Sequence, residues 1–100
     1  MLEQQLLVVL VPAELKDDVI DMLIACDDIS GFNMATTAGF SKEHSQYNLR
    51  EQVEGFREMF QFEVLHMAPQ EQNLLDQLRQ VCTAVQVRYW IAPLRSAGHL

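Results

Sequence analysis

The sequence predicts an α+β fold of the ferredoxin-like βαββαβ type: a four-stranded antiparallel sheet, two helices on one face, and a long loop between strands 2 and 3. Three observations carry this expectation. Two strand–helix–strand units follow each other along the chain. Each leads from its first strand into its helix through a proline, Pro12-Ala13-Glu14 in one and Pro69-Gln70-Glu71 in the other, and each helix closes near a cysteine, which makes a weak internal repeat. Between the units lies a polar segment, Ser41 to Gly55, that is long for a hairpin connection. Right-handed crossovers then put both helices on the same side of the sheet.

The first strand is the run Leu6-Leu7-Val8-Val9-Leu10-Val11, apolar at every position and therefore suited to the centre of a sheet. Pro12 stops strand pairing and opens a helix, with Glu14, Asp17 and Asp18 near its positive end. Leu15, Val19, Met22, Leu23 and Cys26 recur at helical spacing as the inner stripe. Asp27, Asp28, Ser30 and Gly31 make the exit turn. A second strand covers Phe32 to Phe40, with Phe32, Met34, Thr36, Ala38 and Phe40 on one side. After the polar segment, Phe56, Phe60, Phe62 and Val64 alternate with Arg57, Met59, Gln61 and Glu63, a clear strand pattern. His66 ends that strand on its inner face, as a hydrogen-bonded strand-end residue. The second helix turns Leu74, Leu75, Leu78, Val81 and Cys82 inward. The last strand runs from Val85 to Ala92 and Pro93 ends it. Residues 1–100 thus form a single domain, with a flexible tail over 94–100.

Composition narrows function by exclusion. One hundred residues support one core. Seven Lys plus Arg against fourteen Asp plus Glu leave a net charge of -7, which argues against nucleic-acid binding and against an electrostatic membrane anchor. Hydrophobic residues at 49% and charged ones at 21% mark a globular chain. Leu6–Val11 is too short to be inserted in a membrane, and the start lacks the basic character of a signal peptide. Two cysteines make no disulfide framework; both fall on inner helix stripes as packing residues. The expectation is a cytoplasmic protein with reduced thiols.

With both helices on one side, the other face of the sheet is left uncovered. The expected occupants of that face are Leu7, Val9, Val11, Met59, Leu65 and Trp90, mixed with Gln61, Glu63 and Arg88. An apolar patch of this kind marks a partner surface, and self-association is the natural solution for so small a chain.

The stretch Ala38-Gly39-Phe40-Ser41-Lys42-Glu43-His44 leaves the second strand, and Glu51-Gln52-Val53-Glu54-Gly55-Phe56 returns into the third. In this the chain resembles the PII-like (nitrogen regulatory protein PII) superfamily, whose members carry a Gly-Phe step at the base of their T-loop. Within it the chain is most similar to an uncharacterised proteobacterial domain-of-unknown-function family whose members often sit beside genes for heavy-metal efflux pumps. The resemblance covers about Leu6 to Pro93. It implies a non-enzymatic signalling protein, a homotrimer with nucleotide or metabolite clefts between subunits, and a T-loop-like segment, 41–55, that reaches a protein partner such as a heavy-metal efflux transporter. It also implies ligand-binding roles for Gly39, where a missing Cβ admits a ligand to the backbone, and for Gln46; Phe40 beside Gly39 and Arg88 beside Trp90 are further ligand-binding candidates. The sequence departs from the pattern where PII proteins hold phosphate on a Gly-Asp-Gly-Lys segment. Here Cys82-Thr83-Ala84 has neither glycine nor lysine, which argues against nucleotide binding in the PII manner and leaves the cofactor unknown.

No nucleophile–base pair, Walker loop, dinucleotide fingerprint or HExxH helix is present, so no enzyme is expected. Lys42, Glu43, His44, Arg50 and Glu51 give the loop mixed charge suited to protein recognition. Asn48 and Glu51 form a capping pair that would start a short helix within it. The alternative is a metal-binding or metal-tolerance protein with a site at the loop or a subunit junction, built on His44 beside Glu43. Trp90 beside Arg88 can stack a nucleobase, and oligomer packing is its more natural use.

Overall fold

The computed structural model describes residues 3–40 and 57–100. The element order is β1 (Gln4–Pro12), a single 3-10 turn (Ala13–Leu15), α1 (Lys16–Ala25), β2 (Phe32–Gly39), β3 (Arg57–Met67), a second 3-10 turn (Ala68–Gln70), α2 (Glu71–Val81) and β4 (Arg88–Pro93). The strands form one antiparallel sheet in the order β2-β3-β1-β4, the split arrangement that the two repeated units require. The segment 41–55 lies outside the described residues.

The all-apolar run of β1 sits between β3 and β4, where both of its edges are paired. Pro12 has no amide to give to the ladder and closes the strand, and the chain turns at once into the 3-10 turn and α1. Asp17 and Asp18 occupy the first turn of α1, where carboxylates meet the positive end of the helix dipole. Pro69 stands inside the second 3-10 turn, whose geometry wants no amide there, and the Met67 amide donates to Gln70 Oε1 at 2.8 Å across it. Both helices lie on one side of the sheet. Val19 and Leu23 from α1, Cys26 at its C-terminal cap, and Leu74, Leu75 and Leu78 from α2 close over the sheet in one buried cluster. Phe62 is its largest fully buried side chain and packs at 6.1 Å and 43° against Phe32 of the neighbouring strand.

Two expectations need correction. Leu7, Val9 and Val11 do not lie on the open face. They pair with Val64, Phe62 and Phe60, and residues directly opposite in an antiparallel pair point to the same side. The alternation of β3 sends its phenylalanines under the helices, so Leu7 and Val9 follow them into the core, where both are buried. Leu6, Val8 and Leu10 take the open face instead. Secondly, the last strand begins at Arg88 and not at Val85: its ladder with β1 starts at Leu10↔Arg88, and residues 83–85 are bends. The chain between Val81 and Arg88 is therefore a true connection.

Candidate functional site

One end of the sheet gathers the features of interest. There β1 finishes at Pro12 opposite Met59, β2 finishes at Gly39 opposite Arg57, and β4 starts at Arg88 opposite Leu10. The Gly39↔Arg57 pair holds together the two ends of the connection that contains 41–55, so that connection leaves the sheet from this end. Arg57 also reaches across to the first 3-10 turn: its Nη2 donates to Glu14 Oε1 at 2.7 Å, tying the start of β3 to the chain that follows β1. Lys16, one turn further on, lies 5.0 Å from the centre of the Phe60 ring.

Gly39 is needed for packing. A Cβ there would stand 2.9 Å from Met59 Cγ, closer than side chains tolerate, and 3.4 Å from the Arg57 carbonyl oxygen, a tight but tolerable contact. The position is an ordinary extended one, so the constraint is space against the diagonal neighbour on β3, not backbone conformation. Phe40 follows it and is largely exposed.

On the open face, Leu6, Val8 and Leu10 of β1 run beside Met59, Leu65, Trp90 and Ala92. Leu65 is 40% exposed and Trp90 44%. Arg88 stands on the same face with its guanidinium carbon 5.8 Å from the Trp90 ring centre, a cation–π arrangement. Of the residues expected to make an interface, Met59, Leu65 and Trp90 are where the sequence put them, and Leu7 and Val9 are not. Of the residues assigned to a ligand, Gly39 and Arg88 both sit at the loop end of the sheet but on different strands at its two edges, β2 and β4. Gln46, Lys42, Glu43, His44, Arg50 and Glu51 fall outside the described residues.

Sequence reasoning missed a cavity of about 420 Å³ beneath the chain that joins α2 to β4. It opens to solvent, and Val9, Leu78, Cys82, Val85, Val87 and Tyr89 are among the residues that line it. The signal was present: Val85, Gln86 and Val87, which read as the start of the last strand, stand ahead of a ladder that begins only at Arg88. Burial pushes the Cys82 thiol pKa up, because the thiolate would be poorly solvated there. Cys26 is buried and both cysteines are free thiols.

At the opposite end of the sheet His66 is buried. Its Nδ1–H donates to the Met67 carbonyl at 3.0 Å, while its Nε2 and the Oε1 of its cross-strand neighbour Gln5 are buried without a protein partner among the described residues. Among the described residues no three His, Cys, Asp or Glu side chains come together as a metal site, and no helix is long and apolar enough to cross a membrane.

Comparison with known proteins places this architecture. A family model described as a protein of unknown function, DUF3240, matches residues 1–100. The crystal structure of a DUF3240 family protein from Shewanella baltica OS155 superposes with a TM-score of 0.83 at 38% identity, over 97% of this chain and 96% of that one. CPII, a nitrogen regulatory PII-like protein from Thiomonas intermedia K12 whose structure holds ADP, AMP and bicarbonate, superposes with a TM-score of 0.72 at 11% identity, over 98% of this chain and 97% of that one. That second likeness is one of fold. Among curated proteins, none matches the sequence.

Proposed function

The chain belongs to the DUF3240 family and has the PII-like fold, and from that premise we propose that it is a non-enzymatic regulatory protein that self-associates through the open face of its sheet and offers its 41–55 segment to a protein partner. The observation that carries the reading is the apolar patch of half-buried Leu6 and Leu10 and exposed Leu65 and Trp90, set around the buried Val8, on a sheet face that no helix covers. A patch of that kind is costly in water and is relieved by another copy of the same surface. A trimer is the assembly we infer, because the PII-like resemblance implies it. The connection between Gly39 and Arg57 carries Lys42, Glu43, His44, Arg50 and Glu51 as its recognition charges. The partner we infer is a heavy-metal efflux transporter, and the protein acts on its cytoplasmic side.

Light scattering coupled to gel filtration tests the assembly. The expected result is a mass three times that of the chain, reduced by Trp90→Glu, which puts a charge into the apolar face without entering the core. A monomeric native chain overturns the proposal. Replacing Lys42, Glu43, Arg50 and Glu51 together by serine is expected to leave the mass unchanged and to abolish co-purification of a membrane transporter. Retained co-purification would remove the loop from its role.

A further inference from the structure

At the end of the sheet away from Gly39, β1 and β3 bring two buried hydrogen-bond acceptors together. Gln5 and His66 are direct cross-strand partners. Residues so placed turn their side chains to the same face, with Cβ atoms about 4.5–5.5 Å apart. Their parity along the strands is that of Leu7, Val9, Phe62 and Val64, so both point to the helix side. His66 is 4% exposed. Its Nε2 and Gln5 Oε1 are both buried without a hydrogen-bond partner among the described residues.

The tautomer of His66 follows from its other nitrogen. Nδ1 stands 3.0 Å from the Met67 carbonyl oxygen, which only accepts, so Nδ1 carries the proton and the neutral ring presents a lone pair at Nε2. Gln5 Oε1 accepts as well, and two acceptors do not satisfy each other. The amides around them are committed elsewhere: Met67 donates to Gln70 Oε1 at 2.8 Å, Ala68 to the Glu3 carbonyl at 2.7 Å and Leu94 to the Gln4 carbonyl at 2.9 Å. An acceptor left bare in the interior has lost its hydration and gained nothing in return. What the pair lacks is a donor with two hydrogens.

The same groups discriminate among guests. A divalent cation would keep its full charge against a neutral imidazole and a neutral amide, and among the described residues no three His, Cys, Asp or Glu side chains gather to offset it. A neutral guest with two donors on one heavy atom suits both the charge and the close spacing of the two strands.

We propose that Gln5 and His66 hold one internal water molecule, which donates one hydrogen to His66 Nε2 and the other to Gln5 Oε1. The bridge joins the start of β1 to hydrogen bonds that run from His66 through Met67 to Gln70. It thereby ties the first strand to the 3-10 turn from which α2 starts. The proposal goes beyond the regulatory reading and stands without it, since both residues belong to one chain.

The test is a crystal structure of the full native chain, at a resolution that orders water and from crystals grown with and without EDTA, paired with nitrogen-15 NMR of the His66 ring. One density peak within hydrogen-bond distance of both Nε2 and Oε1, the same with and without the chelator, is the expected result. The expected spectrum is that of a neutral ring protonated at Nδ1, with a nuclear Overhauser contact between water and the ring protons. Gln5→Met keeps the length of the side chain and removes the acceptor, and is expected to lose that contact. Three results on the native chain overturn the water: a Gln5 amide nitrogen seated directly against Nε2 with no peak between them, a ring protonated at Nε2, or a peak that EDTA removes. A water contact that persists in a folded Gln5→Met chain overturns the part given to Gln5. Light scattering on the same samples reports the assembly separately, so failure of the water site and failure of the regulatory reading give different results.

Discussion

Gly39→Ala is the substitution whose outcome follows most directly from the geometry. The added Cβ meets Met59 Cγ at 2.9 Å and the Arg57 carbonyl at 3.4 Å. Alanine would otherwise be favoured over glycine inside a strand by about 0.5–1 kcal/mol, because it loses less backbone entropy on folding. Overpacking a filled site costs about 1–3 kcal/mol. Met59 Cγ is near the backbone, so the methionine must change χ1 to give way, and the net expectation is destabilisation by about 0.5–2 kcal/mol. The measurement is urea unfolding followed by circular dichroism at one fixed protein concentration, since self-association contributes to apparent stability. Repeating it in a Met59→Ala background removes the obstructing atom. There Gly39→Ala should be neutral or stabilising by up to about 1 kcal/mol, so the coupling between the two positions is of the order of 1–2 kcal/mol. Two results would refute the reasoning: a native chain stabilised by Gly39→Ala, or an equal cost in both backgrounds. The second would move the cause from Met59 to the carbonyl of Arg57. If Gly39 instead serves a ligand, stability is unchanged and the loss appears in binding.

Three other outcomes are expected. Phe62→Ala removes the largest fully buried side chain and its ring contact with Phe32, so it should cost about 3–5 kcal/mol in urea unfolding; a cost under about 1 kcal/mol would mean that the core collapses around the gap. Glu14→Gln should cost no more than about 1 kcal/mol even though the Arg57 contact is short, because the carboxylate is largely exposed; added salt should reduce whatever cost is seen. The raised pKa of Cys82 means that the folded chain holds the thiol proton more tightly than the unfolded chain does. Its contribution to stability is therefore full below the unfolded pKa and is lost as pH rises through the folded one. The stability difference between the native chain and Cys82→Ala should accordingly shift against the native chain on the alkaline side, and a pH-independent difference would contradict the burial of that thiol.

Periodicity made most of the fold legible. The Phe60-Phe62-Val64 alternation carries the inner face of β3, Pro12 and Pro69 carry the strand-to-helix turns, and the apolar run of β1 carries its central place. The same run is where legibility ended: a strand apolar at every position has no alternation, so nothing in Leu6–Val11 says which residues face the helices. Only the pairing Val9↔Phe62 decides it. Trp90 and Leu65 could be placed because each shares its parity with polar residues of its own strand, Gln86 and Arg88 or Gln61 and Glu63, and Leu7 and Val9 have no such neighbours within Leu6–Val11. The α2–β4 connection misled for a related reason. Val85 and Val87 have strand character, but Pro12 stands where β1 would have to extend its ladder past Leu10 and Val11, and a strand without a partner does not form.

The sequence by itself determined the class of the fold, the element order, the acidic net charge, and the location of the long polar connection between two similar halves. These depend on local composition and periodicity, which each segment carries alone. The tertiary structure decided which side of β1 is open, that Gly39 is held against Met59, that Arg57 reaches Glu14, and that residues 82–87 roof a cavity. These depend on register and on contacts between segments far apart in the chain, and no single stretch of sequence contains both partners.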